Sequence, residues 1–424
     1  MLLSLMLSFT QPAQAFCGTY VGGAGSEFFN EYAQVAIVRD GGNTTLTIVN
    51  DIQGSFTDFA LVLPVPEVIQ EENANVLEPA LFDRLDEYSQ ARLVTYTCED
   101  FEEMNDSGIM LDSSTEESGG GGGNGVEVEA NYIVGEYEVV VLSAEQSQGL
   151  FDWLTDNGYQ VPGQSIDLLQ EYIDGGSYFL AAKVAASAGI QSGDTLSPLQ
   201  LKYSSDVFQI PVRLGTLNAK EIQDLVVYTL SSYSEGYIGI SNYPEFTVED
   251  ECMWESEGEE FGTYYSDRFK TAYEAVDDAA WMVEYAWGGG GCDPCSGTPP
   301  DAEDLVSLGL DQDLVHYGDY YFTRLHMRYA PQQIDEELML YNTNLYDQIQ
   351  QRYIVYDEQL EDRFPVCDVG MVEDPGSCDS NPADGSSADG DSAAAQSCGG
   401  CATGGIEIGL FGFVLGIMGI RRRR

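Results

Sequence analysis

The chain has 424 residues and carries 71 Asp and Glu against 17 Lys and Arg, a formal net charge of −54. Phosphate backbones are held by clustered cations, so this balance excludes a nucleic-acid partner, and two His in the whole chain argue against a His-built metal centre. With 43% hydrophobic residues, 26 Tyr and 18 Phe there is still apolar area for a sizeable core, which excludes disorder throughout.

Residues 1–15 are apolar and end in Ala13-Gln14-Ala15, the small-x-small site of a secretory signal peptide cleaved after Ala15, although no Lys or Arg precedes the apolar part. Residues 33–38 and 44–49 are strand-like and flank Arg39-Asp40-Gly41-Gly42-Asn43, a hairpin signal. The apolar run 58–66 is closed by Pro64 and Pro66 and predicts a third strand leaving the sheet at its edge. Helical spacing over 77–88, 144–157 and 165–173 alternates with strand patterns at 137–142 and 178–186. On the second of these helices Leu150, Trp153 and Leu154 share one face. Further strands are predicted at 199–203, 208–214 and 225–230. Mixed strands with interspersed helices place residues 16–365 in the α+β class, with a mixed or mostly antiparallel sheet.

Three segments stand apart from this pattern. Residues 99–125 form a Gly-rich insertion with no Lys, Ser or Thr after its Gly run, so it reads as a flexible surface loop rather than a phosphate cradle. Residues 366–403 are rich in Asp, Ser, Gly and Ala and read as a disordered spacer, whose Asp residues lack the Glu and spacing of an EF-hand. Residues 404–424 join an apolar run to Arg421, Arg422, Arg423 and Arg424, a basic stop on the cytoplasmic side of a membrane. The uninterrupted run 408–420 is 13 residues, short of the roughly 17 to 25 that span a bilayer. Such a marginal span suits a temporary anchor, the alternative being a plain single-pass helix with Gly412 and Gly416 at a helix contact. Setting aside Glu407 and the four terminal Arg leaves 70 acidic and 13 basic groups on residues 16–403, a net of −57. The exported part therefore carries all the excess acid, as a solvated surface.

Cys398-Gly399-Gly400-Cys401, the short apolar helix and the Arg cluster, in that order, resemble a bacterial C-terminal sorting signal of the MYXO-CTERM type. That resemblance implies a sorting protease that cleaves the tail near the Cys pair and a mature chain at the cell surface or outer membrane. Phe16-Cys17-Gly18, Asp58-Phe59-Ala60, Pro64-Val65-Pro66, Glu284-Tyr285-Ala286-Trp287, Cys292-Asp293-Pro294-Cys295 and Arg324-Leu325-His326 resemble the bacterial exported family catalogued as domain of unknown function 2330. The likeness spans about 16–365, implies export and one shared architecture, and supplies no catalytic residues and no cofactor. One family habit, Pro before Arg92-Leu93-Val94, is lost here at Ala91.

Of the nine Cys, Cys17, Cys98, Cys252, Cys292, Cys295, Cys367 and Cys378 remain once Cys398 and Cys401 are assigned to sorting. Exported thiols pair; Cys367 and Cys378 bracket a small loop and suit each other, while the other connectivity stays open. Cys292 and Cys295 admit two further readings, a redox pair or a zinc site. Their loop setting between Gly-rich and Pro-rich stretches, with acidic neighbours that raise a thiol pKa, favours a structural disulfide. Residues 322–329 read as a strand with Arg324, His326 and Arg328 on one face, a positive stripe in an acidic chain. It suits either an anionic or glycan ligand or the fold's own carboxylates, the second favoured. His316 reads as an ordinary polar residue, and no catalytic set and no metal site stand out. The expectation is an exported, membrane-anchored structural or interaction protein; the alternatives are an extracytoplasmic thiol-disulfide oxidoreductase and an anion or carbohydrate binding module.

Overall fold

Strands with apolar residues on both faces belong in the middle of a layered protein, and Ala33, Val35, Ala36, Ile37 and Val38 are of that kind, all nearly inaccessible. They lie in a computed structural model that describes residues 19–21, 29–53, 60–94, 126–157, 162–163, 165–184, 196–217, 219, 222–248, 252–253, 261–292 and 299–355. The signal segment, the whole Gly-rich insertion, the spacer with Cys367 and Cys378, and the tail with Cys398, Cys401 and Arg421 to Arg424 lie outside the described residues.

Along the chain come strands β1 (Thr19–Val21), β2 (Phe29–Asp40), β3 (Asn43–Gln53), β4 (Ala60–Val65) and β5 (Ala74–Val76), helix α1 (Pro79–Ser89) and β6 (Arg92–Val94). Next are β7 (Val126–Val134), β8 (Tyr137–Ala144), α2 (Ser147–Asp156), α3 (Ser165–Asp174), β9 (Tyr178–Val184), β10 (Leu199–Ser204), β11 (Gln209–Ile210), β12 (Gln223–Ser232), β13 (Ile238–Ile240) and β14 (Cys252–Met253). Then follow α4 (Phe261–Glu274), β15 (Ala280–Gly288), α5 (Ala302–Ser307), α6 (Gln312–Tyr317), β16 (Tyr320–Tyr329), β17 (Leu338–Asn342), β18 (Ile349–Gln350) and β19 (Arg352–Val355).

Two large sheets carry the architecture. One is antiparallel, in the order β1-β4-β9-β8-β7; the other, β18-β15-β16-β12-β2-β3-β10-β5, is antiparallel except for the parallel pair β12 and β2. Leu61, Leu63, Val139, Val141 and Leu180 of the first sheet meet Val35, Ile37, Leu46, Val227 and Leu325 of the second in one core. Helices α2 and α3 cover the far side of the first sheet through Leu150, Leu154 and Leu169. Helix α1 covers the far side of the second through Leu81, Phe82, Leu85 and Tyr88, and α4 does so through Phe269 and Tyr273. The result is four layers, helix, sheet, sheet and helix, an α+β fold dominated by sheet. Full burial of an apolar side chain contributes about 1.5 to 3 kcal/mol, so the covering helices are held by their faces rather than by intrinsic propensity.

The predicted hairpin forms as β2 and β3, with Gly41 at φ 57°, the left-handed region that Gly enters without a Cβ penalty. The run 58–66 differs from expectation, because β4 joins the other sheet between β1 and β9. Its Pro64 stands opposite Phe179 of β9, and among the described residues β1 pairs with Ala60 to Val62. The strand predicted at 208–214 shortens to β11, since Pro211 cannot donate to a ladder, and a 3-10 turn at Arg213–Leu217 follows. Among the described residues no helix is long and apolar enough to cross a membrane.

Candidate functional site

The apolar run of β15 contains one charged residue, Glu284, and a register shift between Val283 and Tyr285 marks it as the extra residue of a β-bulge against β16. A bulge sends two successive side chains to the same face. Val283 and Ala286 accordingly face the inter-sheet core, while Tyr285 packs under α1 and Glu284 turns its carboxylate to the same helix-covered side. On that side the period of two along β16 aligns Arg324, His326 and Arg328, as the sequence predicts.

Carboxylates from three other elements interleave with these cations. Arg324 donates from Nε to Glu284 (2.5 Å) and from Nη1 to Asp86 of α1 (2.6 Å). His326 Nδ1 lies 2.8 Å from Glu284 Oε1, and its Nε2 lies 2.9 Å from Asp224 Oδ1. Arg328 grips Asp224 with two parallel bonds of 2.6 and 2.8 Å, the bidentate geometry that Arg makes best. Asp224 stands directly across from Arg328 in the β12 and β16 pairing, so register alone brings them together. The sequence of charges is Asp86, Arg324, Glu284, His326, Asp224, Arg328, alternating in sign along a ladder. Because both imidazole nitrogens face carboxylate oxygens, both must donate, and His326 is an imidazolium. Three cations then balance three anions.

Aromatic rings close the ladder from above. Tyr265, Phe269 and Tyr273 recur every four residues on α4 and so share one face. Tyr265 donates to Glu284 at 2.6 Å, and the Phe269 ring lies 4.2 Å from the imidazole, centroid to centroid. The Arg328 guanidinium sits over Phe269 at 4.5 Å, and that of Arg324 lies 5.5 Å from the Tyr228 ring, contacts that favour a desolvated cation. The Tyr228 hydroxyl accepts from Gln34 and Arg324 and donates to Asp86.

Burial by itself disfavours the charged forms of His326, Asp224 and Glu284, and the neighbours outweigh it. His326 is pushed up to about 9 against the effect of burial, by the adjacent Glu284 and Asp224. Burial likewise works to raise Asp224, yet bonds from His326 and Arg328 hold it down to about 2. Glu284 is held well below the usual carboxylate range by His326 and Arg324 despite complete burial. Burial and the adjacent Glu284 carboxylate push the Tyr265 phenol far up, so it stays a donor. An imidazolium has no lone pair to offer, so His326 in this state neither ligates a metal nor takes a proton as a base. Chemically the row is an electrostatic clamp that ties α1, α4 and three strands together.

The remaining predicted residues lie elsewhere. Cys292 is disulfide-bonded and packs half-buried beside the α1-facing core, while Cys17, Cys98 and Cys295 fall outside the described residues and Cys252 lies in β14. The Gly tract before Cys292 is tightly packed: a Cβ on Gly288 would meet the Tyr233 ring at 2.4 Å, and one on Gly291 would meet the Trp287 indole at 2.2 Å. The hydroxyls of Tyr88 and Tyr285 converge on the Gly291 carbonyl. Sequence reasoning found the cations of the ladder and missed Asp86, Asp224, Glu284 and the α4 aromatics. Two signals were present: a lone Glu inside the apolar run 279–287, and aromatics at positions 265, 269 and 273.

A bacterial family profile matches residues 11–341, a stretch that contains all six charged members of the ladder. The chain belongs to this family, described as an uncharacterized protein conserved in bacteria, DUF2330. No curated protein matches the sequence. Among solved structures, the crystal structure of baculovirus P35 is similar at 11% identity, covering 77% of this chain and 98% of that chain with a TM-score of 0.29, too loose a superposition to speak for a common fold.

Proposed function

We propose that this family member is an exported structural or interaction protein held at the cell surface or outer membrane by its C-terminal tail, transiently or permanently. The observation that carries the reading is the internal neutralisation of the one positive stripe: Arg324, His326 and Arg328 are matched by Asp86, Glu284 and Asp224 of the same chain. A cation already bonded on both sides and covered by rings serves the fold, which leaves the acidic exterior as the working surface. Supporting it at the ends are the Ala13-Gln14-Ala15 site and the order of Cys398, Cys401, apolar run and Arg421 to Arg424. In this role the ladder keeps a highly charged exported domain rigid where self-repulsion works against it.

The test has two arms. Substituting Arg324 and Arg328 together by Ala is expected to unfold the domain, read by far-UV circular dichroism; a folded double variant that loses binding to an anionic glycan would replace this reading with a ligand-binding one. Intact mass of the cell-associated chain is expected to lack Arg421 to Arg424 and residues 1–15. A full-length chain recovered from the cytoplasmic fraction contradicts export.

A further inference from the structure

After β12 the chain makes a 3-10 turn, Tyr233–Glu235, and β17 is followed by the loop 343–348. The two segments interlock. Asn344 donates its backbone N–H to the Glu235 carbonyl (2.9 Å), Tyr237 to the Leu345 carbonyl (3.2 Å) and Thr343 to the Tyr237 carbonyl (3.0 Å). Gly236, at φ 69°, lets them close, since a Cβ there would meet the Leu345 backbone oxygen at 2.2 Å. A column of rings stands on this joint. Tyr321 of β16 is buried, Tyr233 lies against it at 5.6 Å between centroids, and Tyr346 stacks on Tyr233 at 5.8 Å with 25° between the planes. The Tyr346 hydroxyl donates to the Ser234 carbonyl (3.0 Å), which fixes the outer ring. Tyr233 and Tyr346 are 44% and 50% exposed, and the adjoining Leu345 is 48% exposed. Apart from Tyr233, Tyr346 meets no ring and no cation among the described residues.

Large apolar side chains gathered on the exterior mark a binding surface, and the charges around this one indicate its partner. Glu235 belongs to the turn, Asp347 follows Tyr346, and the Asp319 carbonyl accepts from the Tyr233 N–H at 3.0 Å. None of these three carboxylates has a hydrogen bond or ion pair among the described residues. Building on the reading of an interaction protein with an acidic working surface, we propose that the column docks an arginine-bearing segment of a partner protein. A guanidinium lies on the outer face of Tyr346, and the neighbouring carboxylates supply its countercharge. The ladder holds the completed form of this arrangement, where Asp224 grips Arg328 beneath the Phe269 ring at 4.5 Å. On the surface the rings and carboxylates recur, and the cation comes from outside. Arg suits the site better than Lys because a planar, weakly hydrated guanidinium stacks on a ring, whereas an ammonium keeps its water. A net of −54 draws in a basic partner at long range. A neutral glycan, which also stacks on Tyr, gains nothing from that field.

Calorimetric titration of the full chain in about 150 mM salt with the capped peptide Gly-Arg-Gly-Arg-Gly tests this, alongside its Lys counterpart of equal charge and cellopentaose, a neutral glycan. The Arg peptide is expected to bind with a Kd of about 1 mM or below, and about threefold or more tightly than the Lys peptide. Tyr346→Leu, which keeps apolar bulk and removes the ring, is expected to abolish that preference. Ile133→Ser, at a comparably exposed residue on edge strand β7 of the other sheet, is expected to keep it. Asp347→Asn is expected to weaken both peptides about twofold or more; one charge in a net of −54 barely alters the general field, so this loss reports the local contact. Circular dichroism checks that each variant is folded, and should Tyr346→Leu fail to fold, the Asp347→Asn loss decides in its place. No binding of the Arg peptide at about 10 mM, equal affinity for the two peptides, an Arg preference that survives Tyr346→Leu, unchanged affinity in Asp347→Asn, or tighter binding of cellopentaose would each overturn the assignment. None of these outcomes bears on export and anchoring, which the intact mass tests separately.

Discussion

Replacing Glu284 by Gln removes one negative charge from the middle of the ladder while keeping the side-chain volume. Three groups donate to that carboxylate, Arg324, His326 and Tyr265, and the single oxygen of an amide accepts from two at most, which leaves at least one donor facing an NH2 group. The variant leaves two cations buried without their central anion, and breaking a buried pair from one side costs about 3 to 5 kcal/mol. The pH dependence carries a second signature. His326 is raised from 6.5 to about 9 in the fold, and each pKa unit is worth about 1.4 kcal/mol, so it contributes roughly 3 kcal/mol. That contribution is complete below about pH 6.5 and is lost as pH rises through about 9. Since Glu284 is its foremost charge partner, the decline shrinks in Glu284→Gln. Urea unfolding of both proteins between about pH 6 and 9.5 measures this, and the difference between the two curves cancels the buried tyrosines other than Tyr265, which bonds Glu284 itself. A Glu284→Gln protein within about 1 kcal/mol of the parent near neutrality, with an unchanged alkaline slope, would refute the clamp.

Four further outcomes follow from the same contacts. Asp224, held at about 2, contributes stability above about pH 3.9 that disappears only as pH falls through about 2, so acid unfolding of Asp224→Asn is expected to begin from a lower base with a flatter profile. Phe269→Ala removes the ring over both His326 and Arg328 and is expected to cost about 3 to 5 kcal/mol in the same urea assay. Gly288→Ala drives a methyl into the Tyr233 ring; a loss of about 1 to 3 kcal/mol is expected, with Tyr233 fluorescence and near-UV dichroism reporting its displacement. Insulin-reduction assays are expected to find no activity that depends on Cys292, since that sulfur is disulfide-bonded in a packed setting; turnover lost in Cys292→Ser would revive the oxidoreductase alternative.

Much of the architecture was legible because local chemistry and tertiary environment agree there. The Gly41-Gly42 turn needs a left-handed residue, and the helical spacing at 77–88 matches the face that α1 buries. Where they disagree, the sequence misled. The run 58–66 carries nothing that says which of two sheets it joins, because strand pairing is a choice among distant partners, and 208–214 shortens at Pro211. At the site the division is sharper still.

The sequence by itself determined the excess of acid over base and the stretch where Arg324, His326 and Arg328 share a face. Whether that face meets a ligand or the protein's own carboxylates was decided only by tertiary structure. Asp86, Asp224 and Glu284 lie 238, 100 and 40 residues from Arg324 in the sequence, and no local rule links them. A bulge at Glu284, the register of β12 against β16 and the docking of α1 and α4 bring them into line, where withdrawal from water makes each charge depend on its neighbour.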